Sequence, residues 1–194
     1  MTTPFVLGLD LDGVCADYEG GFRDHCARLT GRPSSEFGPQ THWSFVESGW
    51  VGTEAEFYDL HARAVGGGLF ADMSALTGVS KRLWQLSDAG VHIRVITHRL
   101  CINGTHAKTA SDTVAWLETH NIPYRDLCFV ADKSQVGADV YIDDAPHNVA
   151  ALRASGGYTI VFDTLYNRGI DGPRAHNWAE AADLIMDRKA ALGR

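Results

Sequence analysis

Four short apolar runs rich in β-branched residues punctuate this 194-residue chain, at residues 5–9, 91–96, 140–142 and 158–162, with 127–130 as a weaker fifth. They lack the alternation of a half-exposed strand, so each reads as a strand covered on both faces, the condition of a parallel sheet. Between them the period becomes helical. Leu76, Val79, Leu83 and Leu86 share one helix face, and Gly90 follows as a stop. Ala107, Ala110, Val114 and Leu117 repeat the pattern ahead of Pro123. Pro146 opens another helix that Gly156 and Gly157 close, and Asn177 with Glu180 predicts a capping box at the start of the last one. Strands alternating with helices imply right-handed crossovers and a doubly wound, Rossmann-like α/β sheet.

Residues 16–75 break the alternation. No strand is evident there, and 60 residues is far too long for a strand-to-helix connection. The segment holds nine of the chain's 19 aromatic residues. The expectation is a small, mainly helical insertion after the first strand, with its own apolar cluster. Residues 1–15 and 76–194 would form the core, and 16–75 the insertion.

Composition narrows the function classes. The net charge is −7, with no basic cluster, which disfavours a duplex nucleic-acid surface. No stretch reaches the ~20 apolar residues of a membrane span. Met1-Thr2-Thr3-Pro4 lacks the basic start of a secretory leader, so a cytoplasmic protein is expected. Cys15, Cys26, Cys101 and Cys128 form no zinc-binding spacing. A cysteine phosphatase would need arginine six positions after its nucleophile, and Ala107 and Gly21 stand there instead.

The chemistry lies at the strand ends. Asp10-Leu11-Asp12-Gly13-Val14 closes the first strand, and residues two apart in an extended chain point the same way. Val140-Tyr141-Ile142-Asp143-Asp144 is a second hydrophobic strand ending in acids. One such ending is an ordinary turn. Two in one sheet, if the strands are neighbours, converge carboxylates on the edge where open α/β sheets bind ligands. That cluster calls for a hard divalent cation with oxygen ligands, for which magnesium is the natural choice. Thr97, at the end of the strand 91–96, offers a hydroxyl to a phosphate oxygen, and Lys133, before the second acidic strand, offers a point charge.

The order Asp10-x-Asp12, Thr97, Lys133, Asp143-Asp144 resembles the four signature motifs of the haloacid dehalogenase superfamily. More narrowly, the stretch from Asp10 to Phe22, the stretches Asp132-Lys133-Ser134 and Tyr141 to Asp144, and Leu165-Tyr166-Asn167 are similar to the 5'(3')-deoxyribonucleotidases of the cytosolic type C 5'-nucleotidase family. Two features depart from that family. His98-Arg99 stand where small residues usually follow the motif threonine, and the segment 99–106 is longer.

The resemblance implies a magnesium-dependent phosphomonoesterase acting on nucleoside monophosphates. Asp10 would be the nucleophile and Asp12 the acid–base, with Thr97 and Lys133 holding phosphoryl oxygens. The metal would be held by Asp10, the Asp12 carbonyl and the Asp143-Asp144 pair. The insertion would serve as a cap, with Tyr18 facing the base, Trp43 and Phe45 nearby, and His98 and Arg99 at phosphate or sugar. A homodimer is compatible with the chain. The alternatives are a phosphatase of another small metabolite and a catalytically silent nucleotide-binding protein. A dehalogenase proper is disfavoured by Asp12, and a polynucleotide 3'-phosphatase by the missing basic track.

Overall fold

The computed structural model describes residues 3–101 and 105–194. The reading of Met1 and Thr2, and the middle of the segment 99–106, lie outside the described residues. Six strands form one fully parallel sheet: β1 (Phe5–Leu9), β2 (Val91–Thr97), β3 (Asp126–Phe129), β4 (Val140–Asp143), β5 (Thr159–Phe162) and β6 (Arg174–Ala175). Their spatial order is β3-β2-β1-β4-β5-β6. The chain thus winds outward from β1 in one direction, then crosses back and winds outward from β4 in the other, so the order reverses between β1 and β4.

Helices α1 (Tyr18–Thr30), α2 (Glu54–Gly66) and α3 (Leu69–Asp72) follow β1. The remainder are α4 (Val79–Asp88), α5 (His106–Thr119), α6 (Pro146–Ala154) and α7 (Trp178–Ala191). Every residue of β4 and β5 is buried, as strands covered on both faces must be. Helix α4 packs on β2 and α7, α7 on β5 and β6, and α6 on β4 and β5. The edges are blunt, with β6 two residues long and β3 only partly buried, which limits edge pairing.

The five expected strands and four expected helices form within a few residues of their predicted bounds. Local stops act as read: Gly90 adopts φ 81° just past α4, and Pro146 occupies the first turn of α6. Three details differ. Leu76 precedes α4 instead of joining it. Asn177 accepts bonds from the Ala179 and Glu180 backbone N–H groups, but the Glu180 carboxylate reaches back to the His176 N–H, leaving the capping box half-formed. Strand β6, two residues long, is too short to show a period.

The segment between β1 and α4 is helical, with no strand among its residues in the sheet. It leaves and returns through neighbouring backbone: Ala16 and Ala75 form an antiparallel bridge, Asp17 N–H donates to Ser74 O at 2.9 Å, and Leu76 N–H donates to Cys15 O at 2.8 Å. Its aromatics do not form a separate core. Phe22, Phe45, Trp50 and Phe57 pack ring on ring, Phe22 being 5.0 Å from Phe45 and Phe45 4.8 Å from Trp50. That stack is continuous with Leu7, Leu9 and Leu11 of the sheet core. The insertion thus carries an aromatic cluster of its own, and that cluster extends the sheet core, because so many large rings on so short an insertion are best buried against an existing core.

Candidate active site

The strand register brings the acidic tips together. Leu9 pairs with Ile142, so Asp10 and Asp143 follow side by side, and Asp10 N–H donates to Ile142 O at 3.2 Å. Asp10, Asp143 and Asp144 are all buried, and one carboxylate oxygen from each lies within 4.8 Å of the others. They sit where the strand order reverses, the position at which an open α/β sheet leaves a crevice.

Lys133 enters this cluster from a 3-10 turn, Lys133–Gln135, that Asp132 caps. Its Nζ lies 2.7 Å from Asp10 Oδ1 and 2.6 Å from Asp143 Oδ2. Burial alone would drive the lysine towards neutrality, but Asp10 and Asp143 outweigh it and raise its affinity for the proton. Asp10 is pushed up to about 7, chiefly by desolvation, with Lys133 opposing and Asp143 and Asp12 assisting. Asp144 is also raised well above the carboxylate range by burial and by Asp10 and Asp143. Three buried acids facing one ammonium are short of positive charge. A hard divalent cation fits that donor set.

The loop after β1 is tightly held. Cys15 N–H and Ala16 N–H both donate to Leu11 O at 2.8 Å, and Trp178 Nε1 donates to Val14 O at 2.8 Å. Gly13 lies at φ 79°, and a Cβ there would stand 2.2 Å from Asp144 Oδ2, so glycine is required both by conformation and by the close approach of the second acidic tip.

The sequence-predicted residues distribute as follows. Thr97 is buried at the end of β2, and its Oγ1 accepts from Arg99 N–H at 3.3 Å. Asp12 lies outside the group of three clustered acids but lines the same cavity, and it pairs with Arg99, Nη2 to Oδ1 at 2.7 Å. Tyr18 stacks on Phe22 at 5.7 Å and lines a cavity of about 720 Å³ whose floor is Asp10, Lys133 and Asp144. Phe45 presents an edge to that cavity but is buried in the aromatic stack. Trp43, 47% exposed, lies across the mouth against His147 at 5.0 Å and Tyr166 at 5.6 Å. His98 faces His147 at a ring distance of 6.4 Å, and burial and Lys133 lower its pKa to about 4, keeping it neutral.

Sequence reasoning assigned no role to several supporting residues. Asn148 Nδ2 donates to Asp143 Oδ1 at 3.2 Å from the first turns of α6. Tyr166 donates its hydroxyl to Asp144. Asn167 Nδ2 donates to Asp144 O at 2.9 Å and Phe162 O at 2.8 Å, and Arg174 in turn holds Asn167. Asn148 carried a faint signal as a polar residue on the helix that opens just after the acidic pair. Tyr166 and Asn167 stood out only through the family resemblance.

Residues 4–191 match the family described as 5' nucleotidase, deoxy (pyrimidine), cytosolic type C protein. A Chlorobaculum tepidum protein with the provisional name 5'(3')-deoxyribonucleotidase is 48% identical over 182 residues, covering 93% of this chain and 89% of its own. Among solved structures, a haloacid dehalogenase-superfamily hydrolase of subfamily IA from Geobacter sulfurreducens superposes with a TM-score of 0.58 at 14% identity, over 94% of this chain and all of the other. A phosphonoacetaldehyde hydrolase-like protein from Oleispira antarctica gives 0.61 at 13% identity, over 98% and 94%. At such identities the structural likenesses speak for the fold alone.

Proposed function

Because the chain belongs to the cytosolic type C 5'-nucleotidase family, we propose that it is a magnesium-dependent 5'(3')-nucleotidase that releases phosphate from nucleoside monophosphates through an aspartyl-phosphate on Asp10. The chain is a phosphoric monoester hydrolase with a haloacid dehalogenase fold. The observation that carries the finer reading is the cluster Asp10, Asp143 and Asp144 with Lys133, at the floor of a cavity large enough for a nucleotide.

Magnesium would be held by the Asp10, Asp143 and Asp144 carboxylates with the Asp12 carbonyl, and when bound it supplies the positive charge that those acids and a phosphoryl group require. Asp10 attacks phosphorus in line; its Oδ–P bond forms as the P–O ester bond breaks. Asp12 gives a proton to the departing oxygen, then takes one from the water that hydrolyses the acyl phosphate. The Thr97 hydroxyl and Lys133 bond the phosphoryl oxygens. Lys133 is already anchored on Asp10 and Asp143, so it reaches the phosphoryl group without a search.

Residues 16–75 act as the cap, leaving and re-entering the core at Ala16 and Ala75. Tyr18, which lines the cavity, would offer its ring to a base, a stack worth ~1–3 kcal/mol. Trp43 roofs the mouth, and its contacts with His147 and Tyr166 join cap to core above the site. All four cysteines are unpaired, in keeping with the cytoplasmic setting we assign. No helix among the described residues is long and apolar enough to cross a membrane.

Phosphate release across ribo- and deoxyribonucleoside 5'- and 3'-monophosphates and common sugar phosphates tests the reading, with Asp10→Asn as the blank. The nucleotides should lead the panel. Preferred turnover of sugar phosphates would falsify the nucleotide assignment, and turnover by Asp10→Asn would remove the covalent intermediate.

A further inference from the structure

The resemblance suggested that Arg99 reaches phosphate or sugar, yet its guanidinium is engaged on all sides by protein. The side chain is 1% exposed. Nη2 donates to Asp12 Oδ1 at 2.7 Å, and Nε to Asp12 Oδ2 at 3.0 Å, a two-pronged pair that takes both carboxylate oxygens. Nη1 donates to Thr113 Oγ1 on α5 at 3.1 Å. Its Cζ lies 4.5 Å from the centre of the Phe70 ring of α3 and 5.9 Å from the centre of the Trp116 ring of α5. Those supports are themselves held: Thr113 Oγ1 donates to Thr109 O at 2.8 Å, and Trp116 Nε1 to Met73 O at 2.7 Å.

Arginine keeps its charge when buried, so the site must supply an anion, and Asp12 is its ion-pair partner among the described residues. The guanidinium fork fixes the plane of a carboxylate as well as its distance, which a lysine ammonium does not. The geometry points to Arg99 as a positioning residue: it holds the ionised Asp12 side chain, the form that takes a proton from the hydrolytic water, in one orientation at the cavity edge and braces that orientation on α3 and α5. The proton that Asp12 gives to the departing oxygen reaches it only once the negative charge of a phosphoryl group beside it competes with the Arg99 pair. Arg99 borders the cavity, but with its guanidinium taken up by Asp12 and Thr113 it acts through Asp12. This rests on the nucleotidase reading above. It adds a residue that stands where the family usually has small ones, and a reason why Asp12 is not among the three clustered acids.

The test is steady-state kinetics on a nucleoside monophosphate for Arg99→Lys, Arg99→Met, Asp12→Asn and the double variant Asp12→Asn/Arg99→Met, with thermal unfolding as the check on folding. Misplacing a reacting group by about 1 Å costs on the order of 10²-fold. Both Arg99 variants should therefore lose about that factor in kcat, with KM within about twofold of wild type. The double variant should be no slower than Asp12→Asn, because a residue acting through Asp12 has nothing left to position. Thr113→Val loosens the brace without removing the cation, so it remains informative if the Arg99 variants do not fold; it should lower kcat by a smaller factor at constant KM. A raised KM with unchanged kcat, losses that multiply in the double variant, or wild-type kcat in the variants that fold would each overturn the assignment. Wild-type turnover and its loss in Asp10→Asn establish the phosphatase reading separately, so an unaffected Arg99→Lys enzyme overturns this inference alone. A wild type that hydrolyses neither nucleotides nor an aryl phosphate removes both.

Discussion

Asp10→Asn should stabilise the metal-free protein at pH 8 while abolishing turnover. Asp10 is buried beside Asp143 and Asp144, with Lys133 Nζ at 2.7 Å as its compensating charge. Desolvation outweighs the lysine, and the carboxyl is raised from 3.8 to about 7. A folded-state pKa above the unfolded one gives stability that is fully present below about pH 4 and is lost as pH rises through about 7. At 1.36 kcal/mol per unit this is worth about 4 kcal/mol as a ceiling. Asparagine keeps an oxygen for Lys133 and carries no charge to desolvate. It should recover roughly half or more of that loss, about 2–4 kcal/mol at pH 8, and at about 2–4 °C per kcal/mol for this chain length Tm should rise by about 4–16 °C. Urea unfolding in EDTA at pH 5, 6, 7 and 8 measures it. Wild type should weaken mainly between pH 5 and 7 and level off above, Asp10→Asn should weaken less, and the gap between the two curves should narrow towards pH 5 and close only near pH 4. An Asp10→Asn protein less stable than wild type at pH 8 would show that the Lys133 pair, and not desolvation, dominates the site.

Magnesium at about 100 times its Kd should stabilise the wild type by about 2.7 kcal/mol, read as a Tm shift, and Asp144→Asn should lose most of that shift. Gly13→Ala should cost about 1–2 kcal/mol for the left-handed backbone alone and also displace Asp144, whose Oδ2 would lie 2.2 Å from the new Cβ; unfolding and magnesium titration together would show both. Tyr18→Ala should raise KM for a nucleoside monophosphate by about 5- to 160-fold through the lost base stack, with kcat nearly unchanged. An aryl phosphate on the same variant controls for damage to the phosphoryl site.

The parts of this protein legible in its sequence are those set by neighbours along the chain. Runs such as Phe5–Leu9 must be strands buried on both faces, glycine and proline end the helices near Gly90 and Pro146, and residues two apart at a strand tip share a side, so the acids at the ends of β1 and β4 could be named in advance. Their meeting needed only the assumption that the two strands are neighbours, which the register bears out. The tertiary structure decided the rest. Arg99 and Asp12 stand 87 residues apart, and only the juxtaposition of β1 with β2, roofed by α3 and α5, makes them a pair. Tyr166 and Asn167 brace Asp144 across 22 and 23 residues, and the insertion's rings join the sheet core because the chain returns beside its point of departure. Local pattern encodes backbone state and facing. The partner of a buried charge is chosen by desolvation, which exists only once the chain has closed around it.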